Sequence, residues 1–463
     1  MPIERKEMQE LVRGYGKNPV ILNLGSHSAL DLAAGCRDFG LRRIIYTTKE
    51  RAIIYLSNPM VGDNLKSVDD LPSAVRSDMI VVRDPADIPK DGWKQAILIL
   101  DRYDEIVKYV DDLLEFDPLH TTNRAFAVYC GGDERCSIIE DKFPIPIVGS
   151  RRLLKIENRG EIERDYYFFA EKAGIPHPKG FEFDVRKNGI KLRQELNQPL
   201  ILKAEHKERK FERCFIFAAD SRDLEEKVKK HMESGTLDLE GLKTARVEEY
   251  VPGVTANFNF FYSPIDARQN WGDAEKALQK LYGLSVDGAR AWLSNEFLSI
   301  DERRETTHDG YQRMPAEVQM KIDFARTKYP LTFEVTAHLP MSLRESLLKE
   351  IHEFANKFLL TAKALEPPGI IGPWCLQTLI TWQEITGITG VQLGLYDAGE
   401  KVYKHWPVTQ DIALRHGGGT NTHMGIGSQY ANAKRRRILS MGDRIAMEIR
   451  RAINTNALDE IVT

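Results

Sequence analysis

Three short segments in the middle of the chain carry side chains suited to binding a phosphorylated ligand. The first reads AGIPHPK at residues 173–179, the second is an apolar strand ending at Lys203, and the third reads VEEYVPG at 247–253 and contains Glu248 and Glu249. A strand lysine places a point charge where phosphate groups can bind. Acidic residues at a strand end can accept hydrogen bonds from ribose hydroxyls. Each feature alone is usually a solvated side chain, so the prediction of a nucleotide site depends on all three occurring in this order.

The segment LGSHS at residues 24–28 follows the first predicted strand and opens a helix. Backbone N–H groups at the start of a helix suit a phosphate group. Ser26 or Ser28 can also act as a helix N-cap that satisfies those N–H groups. The two interpretations are compatible, and both stay open at this point.

Composition and charge exclude several classes of protein. The 463-residue chain has 65 Lys and Arg against 68 Asp and Glu, a net charge of −3, whereas a general nucleic-acid or membrane-surface binder needs a basic excess. The sequence shows no apolar run of transmembrane length and no signal peptide. Its five cysteines include no CxxC pair. We therefore expect a cytoplasmic enzyme with small-molecule substrates and no nucleic-acid or membrane partner.

The order of predicted elements indicates an α/β region followed by α+β regions. Strands that alternate with helices in the first third predict a parallel sheet with helices on both faces, and ligands beyond the carboxyl ends of its strands. The apolar runs interpreted as strands there are 19–24, 42–48, 79–82, 96–100 and 125–130. Further on, the patterns predict helices over 161–173 and 343–364, a polar excursion over 265–284, and strands over 199–203, 214–218, 245–251, 257–262 and 372–381.

The three segments with Lys203 and the glutamates, in this order and spacing, resemble the ATP-grasp fold. In that fold two α+β subdomains clamp ATP between antiparallel sheets. The resemblance implies an N-terminal Rossmann-like pre-ATP-grasp domain at 1–150 on the ribonucleotide side. It further implies a small lid subdomain at 151–250 and a C-terminal subdomain with metal and substrate residues at 251–463.

A longer series of motifs resembles the archaeal formate-dependent FAICAR synthetases. These enzymes ligate formate to the amine of AICAR (5-aminoimidazole-4-carboxamide ribonucleotide) with ATP, late in purine (IMP) biosynthesis. The resemblance implies an ADP-forming C–N ligase that works through formyl phosphate, requires ATP and Mg²⁺ or Mn²⁺, and forms a homo-oligomer. The motifs are LGSHS at 24–28, VGSRRLL at 148–154, FYSP at 261–264, LRESLL at 343–348, PPGIIGP at 367–373, CLQ at 375–377, GGTN at 418–421 and LSMG at 439–442.

Site residues follow from the resemblance position by position. It implies an AICAR site of His27, Ser28 and Thr307, an ATP site of Lys203, Arg209, Arg213, Glu248 and Glu249, and a metal site of Gln377 and Asp411. Lys203 and Arg415 are the implied catalytic residues. Asp411 replaces a glutamate but keeps a hard oxygen ligand, and Arg415 can instead form a plain salt bridge to Asp411.

Departures from the family pattern concentrate at the predicted ligand sites. Residues 204–213 contain no glycine where the family has a glycine-rich phosphate loop, so a backbone cradle for phosphate is not expected. Side chains of that stretch either replace it or form a solvated hairpin. Asn123, Arg124 and Ala125 replace a His-Gly-Ser whose serine contacts AICAR, so that hydroxyl is missing unless Thr121 or Thr122 supplies it. Thr307 replaces an AICAR-binding asparagine.

These departures leave two alternatives to the leading function. One is an ATP-grasp ligase for a different carboxylate and amine, and the other is a catalytically silent nucleotide-binding paralogue. The sequence assigns no role to the insertions near 265–295 and 383–405.

Overall fold

The computed structural model describes residues 2–26, 28–58, 79–133, 135–158, 162–205, 213–322, 328, 335–385, 402–417, 419, 428–435 and 438–463, without the side chains of Glu205, Arg213, Ile385 and Val402. Within this part of the chain, no helix is long and apolar enough to cross a membrane.

The N-terminal region forms the predicted parallel sheet, in the strand order β3-β4-β2-β1-β5-β6. The strands are β1 (Val20–Leu24), β2 (Arg42–Thr48), β3 (Met79–Val82), β4 (Gln95–Leu100), β5 (Pro118–Thr121) and β6 (Ile147–Val148). The helices are α1 (Arg5–Arg13), α2 (Ala29–Asp38), α3 (Lys49–Leu56), α4 (Val110–Leu114), α5 (Arg124–Cys130) and α6 (Ser137–Asp141). The order changes direction between β1 and β5, which places a ligand crevice at their carboxyl ends.

One predicted strand of this region is wrong. The apolar run at 125–130 belongs to helix α5, and the strand of that unit is β5, just before it. Asn123 is the N-cap of α5, because its side-chain oxygen accepts a hydrogen bond from Phe126 N at 3.1 Å. A short apolar run does not distinguish a buried strand from a buried helix by periodicity.

The middle of the chain forms a small antiparallel sheet in the order β11-β10-β12-β7, with a separate β8-β9 hairpin. The strands are β7 (Gly180–Phe181), β8 (Phe183–Arg186), β9 (Gly189–Leu192), β10 (Leu200–Glu205), β11 (Arg213–Ala218) and β12 (Arg246–Glu249), and the helices are α7 (Tyr166–Ala173), α8 (Ser221–Glu233) and α9 (Leu239–Lys243). Helix α7 begins later than predicted because Asp165 caps it, accepting from Tyr167 N and Phe168 N. It ends, as predicted, at Gly174, which has a positive φ of 61°.

The C-terminal region is built on a large antiparallel sheet in the order β15-β14-β13-β16-β17. Its strands are β13 (Val254–Tyr262), β14 (Asn295–Glu305), β15 (Val335–Pro340), β16 (Gly372–Ile385) and β17 (Val402–Ala413). The helices are α10 (Asp273–Tyr282), α11 (Val286–Ser294), α12 (Thr306–Gln312), α13 (Ala316–Gln319), α14 (Leu348–Leu365), α15 (Gln429–Arg435), α16 (Met441–Asn454) and α17 (Leu458–Ile461). Helix α10 occupies most of the stretch predicted as a polar excursion.

One face of the large sheet packs on α7 and α14 to form a hydrophobic core. Trp374 lies at its centre, stacked on Phe260 with ring centroids 4.9 Å apart. Its indole N–H donates to Asn295 Oδ1 at 3.0 Å, so the buried polar atom is satisfied. Because strand side chains alternate, the opposite face of the same strands is free to carry polar residues.

Helices α2 and α16 cross so closely that two glycines are required. A Cβ on Gly35 would lie 2.3 Å from the Gly442 carbonyl, and one on Gly442 would lie 2.1 Å from the backbone oxygen of Asp31. Gly442 is the last residue of the LSMG motif, and Ser440 caps α16 by accepting from Asp443 N. The motif therefore has a structural role, which is to dock the C-terminal helix on the N-terminal domain.

We expect Gly442→Ala to destabilise the protein, because the added methyl group must displace backbone at this crossing. Overpacking of this kind lowers the free energy of unfolding by about 1–3 kcal/mol, which a urea titration will measure. Gly310→Ala is the matched control, because its Cβ would meet no atom within 4 Å. Equal stability of Gly442→Ala and the parent protein would contradict the assignment.

A buried ion network joins β14 to α15 and α16. The Glu296 carboxylate accepts hydrogen bonds from Arg435 Nε at 2.7 Å and from Arg444 Nε at 2.9 Å, and Arg444 also donates to Glu448. Burial alone would raise the pKa of Glu296, but the neighbouring cations, Arg444 first, lower it to about 2. The charged form of Glu296 therefore stabilises the fold.

This network predicts an acid-sensitive contribution to stability. Because the pKa of Glu296 is depressed in the folded state, the contribution is complete above pH 4.5 and is lost as the pH falls toward 2. It amounts to roughly 3 kcal/mol. The difference in thermal midpoint between the parent and Glu296→Gln should therefore shrink between pH 5 and pH 3. Glu10→Gln, at an exposed pair with Lys6, is the control and should show no such change.

Candidate functional site

The turn after β1 is tightly packed at the carboxyl edge of the parallel sheet. A Cβ on Gly25 would lie 2.8 Å from the Tyr55 ring and 2.9 Å from Thr47 Cβ, so only glycine fits. The Tyr103 hydroxyl donates to the Gly25 carbonyl at 3.1 Å. These contacts fix the backbone of the turn at the β1–β5 crevice, where the fold places a ligand.

Of the interpretations given for this turn, the structure rules out a side-chain cap by Ser28. Ser28 occupies the N-cap position of α2, but its side chain makes no capping hydrogen bond. Its hydroxyl donates instead to the Gly417 carbonyl at 3.2 Å. A long-range contact thus takes the place of the local cap, and it brings the turn against the segment that follows β17. His27, the predicted AICAR contact, lies outside the described residues.

The segment after β17 is attached to the N-terminal domain at several points. His416 N donates to the Thr122 carbonyl at 3.1 Å, and His416 Nε2 lies 3.1 Å from Asp31 Oδ2. Burial of Asp31 would raise its pKa, but hydrogen bonds, first from His416, hold that pKa below its usual value. His416 therefore makes a structural contact with Asp31. Among the described residues, no group of three possible metal ligands of the His, Cys, Asp or Glu type occurs.

Arg415, the predicted catalytic arginine, is paired with Glu157. Its Nη2 lies 3.3 Å from Glu157 Oε2, and Arg124 Nη1 lies 3.3 Å from the same oxygen. The other oxygen, Glu157 Oε1, accepts from Leu414 N at 3.0 Å. Within the described residues the ion pair of Arg415 is thus with Glu157 and not with Asp411. Sequence reasoning did not single out Glu157, because no local motif marks it and its partners are distant in the chain.

In the small sheet, Lys203 and Glu248 form a buried ion pair. Lys203 Nζ lies 2.7 Å from Glu248 Oε2, and their side chains are 8% and 0% exposed. Arg246 Nε donates to the other oxygen, Glu248 Oε1, at 2.7 Å. Burial would raise the pKa of Glu248, but the charge and hydrogen bond of Lys203, the hydrogen bond of Tyr167 and the charge of Arg246 together lower it. The lysine predicted to meet phosphate is therefore held in place by the glutamate predicted to meet the nucleotide.

Glu249 points to a different neighbour. Its Oε1 accepts from Lys179 N at 2.9 Å, and its own backbone N–H donates to the Lys179 carbonyl. This pair closes the small sheet against the AGIPHPK segment at 173–179. Arg209, another predicted ATP contact, lies outside the described residues; Arg213 lies on β11, but its side chain is not described.

On the large sheet the two predicted metal ligands are direct neighbours. Gln377 on β16 is the register partner of Asp411 on β17, and Asn257 and Asp301 continue the same row on β13 and β14. Directly paired residues project from the same face. The adjacent row of Phe258, Ile300, Leu376 and Ile412 faces the hydrophobic core. The polar row therefore lies on the face opposite the core.

The donor set of this row fits a divalent cation that binds oxygen. Mg²⁺ commonly uses one or two carboxylates and completes its shell with water and phosphate oxygens, and Asp411 and Gln377 supply a carboxylate and an amide oxygen on paired positions. Gln377 Oε1 accepts from Arg303 Nη1 at 3.1 Å, and Asp411 Oδ1 accepts from Ile412 N. Both oxygens are thus oriented by bonds on their own sheet.

Asp301 is the most enclosed carboxylate of the polar face. Asn257 Nδ2 donates to it at 2.8 Å and Asn259 Nδ2 at 2.6 Å, while His338 Nδ1 lies 2.6 Å from Asp301 Oδ2. A Cβ on Gly419 would lie 2.4 Å from both Asp301 Oδ2 and His338 Nδ1. This contact explains why glycine is required in the GGTN segment. The two asparagines and His338 were not predicted, although the spacing of Asn257 and Asn259 on a strand places both on one face.

Helix α7 connects the small sheet to the large one. The Tyr166 hydroxyl donates to the Thr409 carbonyl at 2.8 Å, two residues before Asp411. The Tyr167 hydroxyl lies 3.3 Å from Lys203 Nζ, and the Arg246 guanidinium stacks 3.7 Å above the Tyr167 ring. These two adjacent tyrosines thus connect Lys203 on the small sheet to β17, the strand that carries Asp411.

Thr307, the third predicted AICAR contact, lies half-buried on α12, the helix that follows β14. It is placed beyond the end of the strand that carries Asp301 and Arg303. Lys203 and Glu248 therefore lie on the small sheet, and Gln377 and Asp411 lie on the large one. Arg415 lies in the segment that follows β17. The ligand roles of all these residues stay predictions.

A parallel α/β domain followed by two antiparallel sheets forms the ATP-grasp architecture, as the sequence predicted. A family model described as "Domain of unknown function (DUF1297)" matches residues 223–463, and one described as "Protein of unknown function (DUF1246)" matches 21–181. The chain belongs to the DUF1297 family, and its resemblance to the archaeal formate-dependent FAICAR synthetases is confirmed along its whole length.

Two curated relatives carry the name 5-formaminoimidazole-4-carboxamide-1-(beta)-D-ribofuranosyl 5'-monophosphate synthetase. The one from Methanopyrus kandleri is 26% identical and the one from Methanocaldococcus jannaschii 25%, each with 100% of both chains covered. The crystal structure of an IMP biosynthesis protein PurP from Thermococcus kodakaraensis shares the fold. It is 22% identical, with a TM-score of 0.56 over 96% of this chain and 100% of that one.

A double-mutant cycle on Lys203 and Glu248 tests the buried pair. Glu248→Gln alone should lower the free energy of unfolding by about 3–5 kcal/mol, because it removes the carboxylate that neutralises the buried Lys203. Lys203→Met alone should lower it by less, because Arg246 still pairs with Glu248. The double variant should lose clearly less than the sum of the two. The exposed pair of Lys6 and Glu10 is the control, where coupling of about 0.5 kcal/mol or less is expected. Additive losses at Lys203 and Glu248 would rule out the interaction.

Proposed function

We propose that this protein is an ATP- and formate-dependent ligase that forms FAICAR from AICAR, with Mg²⁺ or Mn²⁺ as the metal. The observation that carries the proposal is the joint presence of the buried strand lysine Lys203 on the small sheet and the paired oxygen donors Gln377 and Asp411 on the large one, with helix α7 bonded to both sheets. The full-length similarity to the archaeal synthetases supports the choice of formate and AICAR.

The chemistry requires that formate first be activated. Oxide is a poor leaving group, so a formate oxygen attacks the γ-phosphorus of ATP, giving formyl phosphate and ADP. The amine nitrogen of AICAR then bonds to the formyl carbon, the C–O bond to phosphate breaks, and phosphate leaves with the electron pair. Phosphoryl transfer of this kind depends mainly on positioning and charge neutralisation.

Different residues of this chain supply the positioning and the charge neutralisation. Lys203, aligned by Glu248 and Tyr167, supplies positive charge to the phosphates of ATP. Arg415, aligned by Glu157, supplies a second cation from the segment beside the ribonucleotide crevice. Gln377 and Asp411 would hold the metal ion, which would neutralise phosphate charge. At the turn after β1 the Gly25 N–H already donates to the Tyr46 carbonyl, so the backbone N–H of Ser28, at the start of α2, is the group assigned to the ribonucleotide phosphate.

One observation favours a second candidate, a ligase of the same class with another amine acceptor. Ala125, a buried residue of α5, stands where the family has the serine that contacts AICAR. Asn123, the first residue of the same segment, has both ends of its side chain engaged in the fold: its oxygen accepts from Phe126 N, and its Nδ2 donates to the Leu24 carbonyl at 2.9 Å. The family's hydroxyl contact is therefore absent at Ala125, and Asn123 does not replace it. A silent nucleotide-binding paralogue stays a third outcome of the assay below.

The first test is ADP formation with Mg-ATP, AICAR and formate, with each component omitted in turn. We expect turnover only when all three are present, together with FAICAR as product. Turnover with other carboxylates or aminated nucleotides, but not with formate and AICAR, would support the second candidate. ATP binding with no turnover on any acceptor would support the silent paralogue.

The metal prediction has a matched pair of variants. EDTA should abolish turnover, and Mg²⁺ or Mn²⁺ should restore it. Asp411→Asn should lower kcat by about 10–100-fold, because a neutral amide holds a divalent cation less well than a carboxylate. Asp273→Asn makes the same chemical change at a fully exposed position on α10 and should leave kcat unchanged. Full activity of Asp411→Asn at limiting Mg²⁺ would remove Asp411 from the metal site.

A further inference from the structure

We propose that His338 is the catalytic base that takes the proton from the attacking amine, with Asp301 as its positioning residue. The inference rests on the proposed ligase function. It is carried by a histidine that bonds to a buried carboxylate on the polar face of the large sheet. His338 Nδ1 lies 2.6 Å from Asp301 Oδ2, and Asp301 is 1% exposed while His338 is 25% exposed.

The hydrogen bond fixes which ring nitrogen can act as a base. Asp301 also accepts from Asn257 Nδ2 and Asn259 Nδ2, and a carboxylate that receives such donors is an acceptor toward His338 as well. Nδ1 of His338 therefore carries the hydrogen and donates to Asp301. In the neutral ring the lone pair is then on Nε2. Among the described residues Nε2 has no hydrogen-bond partner, so it is available to a ligand.

The dyad lies on the face that carries the predicted metal ligands. His338 on β15 is the register partner of Arg303 on β14, which is two residues from Asp301 and therefore on the same face. Arg303 in turn donates to Gln377 Oε1. The polar row thus continues from Asp411 and Gln377 to Asp301 and His338.

The dyad is also close to the crevice predicted for the ribonucleotide. The space beside Asp301 Oδ2 and His338 Nδ1 is closed by Gly419. Gly417, two residues earlier, accepts from the Ser28 hydroxyl at the turn after β1. Two residues of chain span less than about 8 Å. His338 therefore lies on the sheet that carries the predicted metal ligands, and the Asp301–His338 pair is in contact with the segment that reaches the ribonucleotide turn.

The second step of the reaction requires such a group. When the amine nitrogen bonds to the formyl carbon, it becomes positively charged and must lose a proton to form the amide. We assign that proton to His338 Nε2 as the C–O bond breaks and phosphate leaves. Asp301 stabilises the resulting imidazolium and keeps its own charge. The first step, formation of formyl phosphate from ATP and formate, involves no amine and does not use this base.

This separation of steps gives a test that a structural role would not pass. For the parent, His338→Gln and His338→Ala, we would measure kcat and KM for FAICAR formation. In parallel we would measure formohydroxamate formed when hydroxylamine traps formyl phosphate in the absence of AICAR. We expect His338→Gln to lower kcat for FAICAR by about 100-fold or more, with little change in KM for AICAR and in trapped formyl phosphate. Imidazole added to His338→Ala should restore part of the lost kcat.

The controls separate the possible failures. His405→Gln changes a histidine on β17 that stacks on Trp382 and should behave as the parent. Parent protein that makes no FAICAR would overturn the proposed function itself. Given an active parent, wild-type kcat in His338→Gln, or an equal loss of trapped formyl phosphate, would overturn the role of His338. If His338→Gln fails to fold, failure of imidazole to raise the rate of folded His338→Ala would do the same.

Discussion

The Glu157, Glu248 and Asp301 carboxylates are almost completely buried, and each is held by donors from other elements. Glu157 binds Arg124 and Arg415, Glu248 binds Lys203 and Arg246, and Asp301 binds two asparagines and a histidine. A buried carboxylate without such partners is strongly destabilising. These carboxylates are therefore accommodated only when the elements that carry their partners are packed around them, and this requirement constrains how those elements are arranged.

The same requirement orients the cations that the proposed chemistry uses. Lys203 and Arg415 are long side chains that lose considerable conformational freedom when they are fixed. Their carboxylate partners hold them before any ligand arrives, so binding ATP need not order them. Tyr166 and Tyr167 connect the two antiparallel sheets, because the Tyr166 hydroxyl donates to the Thr409 carbonyl and the Tyr167 hydroxyl lies beside Lys203.

The pattern of retained and altered residues separates scaffold from ligand contacts. Gly442 of the LSMG segment and Gly419 of the GGTN segment stand where a Cβ would collide with backbone and with the Asp301–His338 pair, respectively. Departures from the family, by contrast, fall at Asn123, at Thr307 and in residues 204–213. Asn123 shows how such a change is accommodated, since it caps α5 and bonds to the Leu24 carbonyl instead. The residues that form the framework of the family are thus kept, whereas residues at the positions predicted to contact AICAR and the phosphates of ATP are changed.

Much of the fold could be predicted from the sequence, because alternation and caps act locally. Apolar runs separated by helices indicated the parallel sheet, and Gly174 marked the end of α7. Local signals failed where a short apolar run has no period, as at 125–130, and where a predicted cap bonds to a distant segment instead, as Ser28 does to Gly417. The resemblance to the family indicated Lys203, Glu248, Gln377 and Asp411 as candidates.

Long-range pairing was decided only by the tertiary structure. Glu157 and Arg415 are 258 residues apart, and Asp301 and His338 are 37 apart, so neither pair leaves a spacing that a sequence can show. Sheet register sets these pairs, because it determines which side chains share a face. The sequence by itself determined the fold class and the family of chemistry. The tertiary structure decided which charged side chains pair, because each buried charge requires a partner and only the fold brings distant residues together.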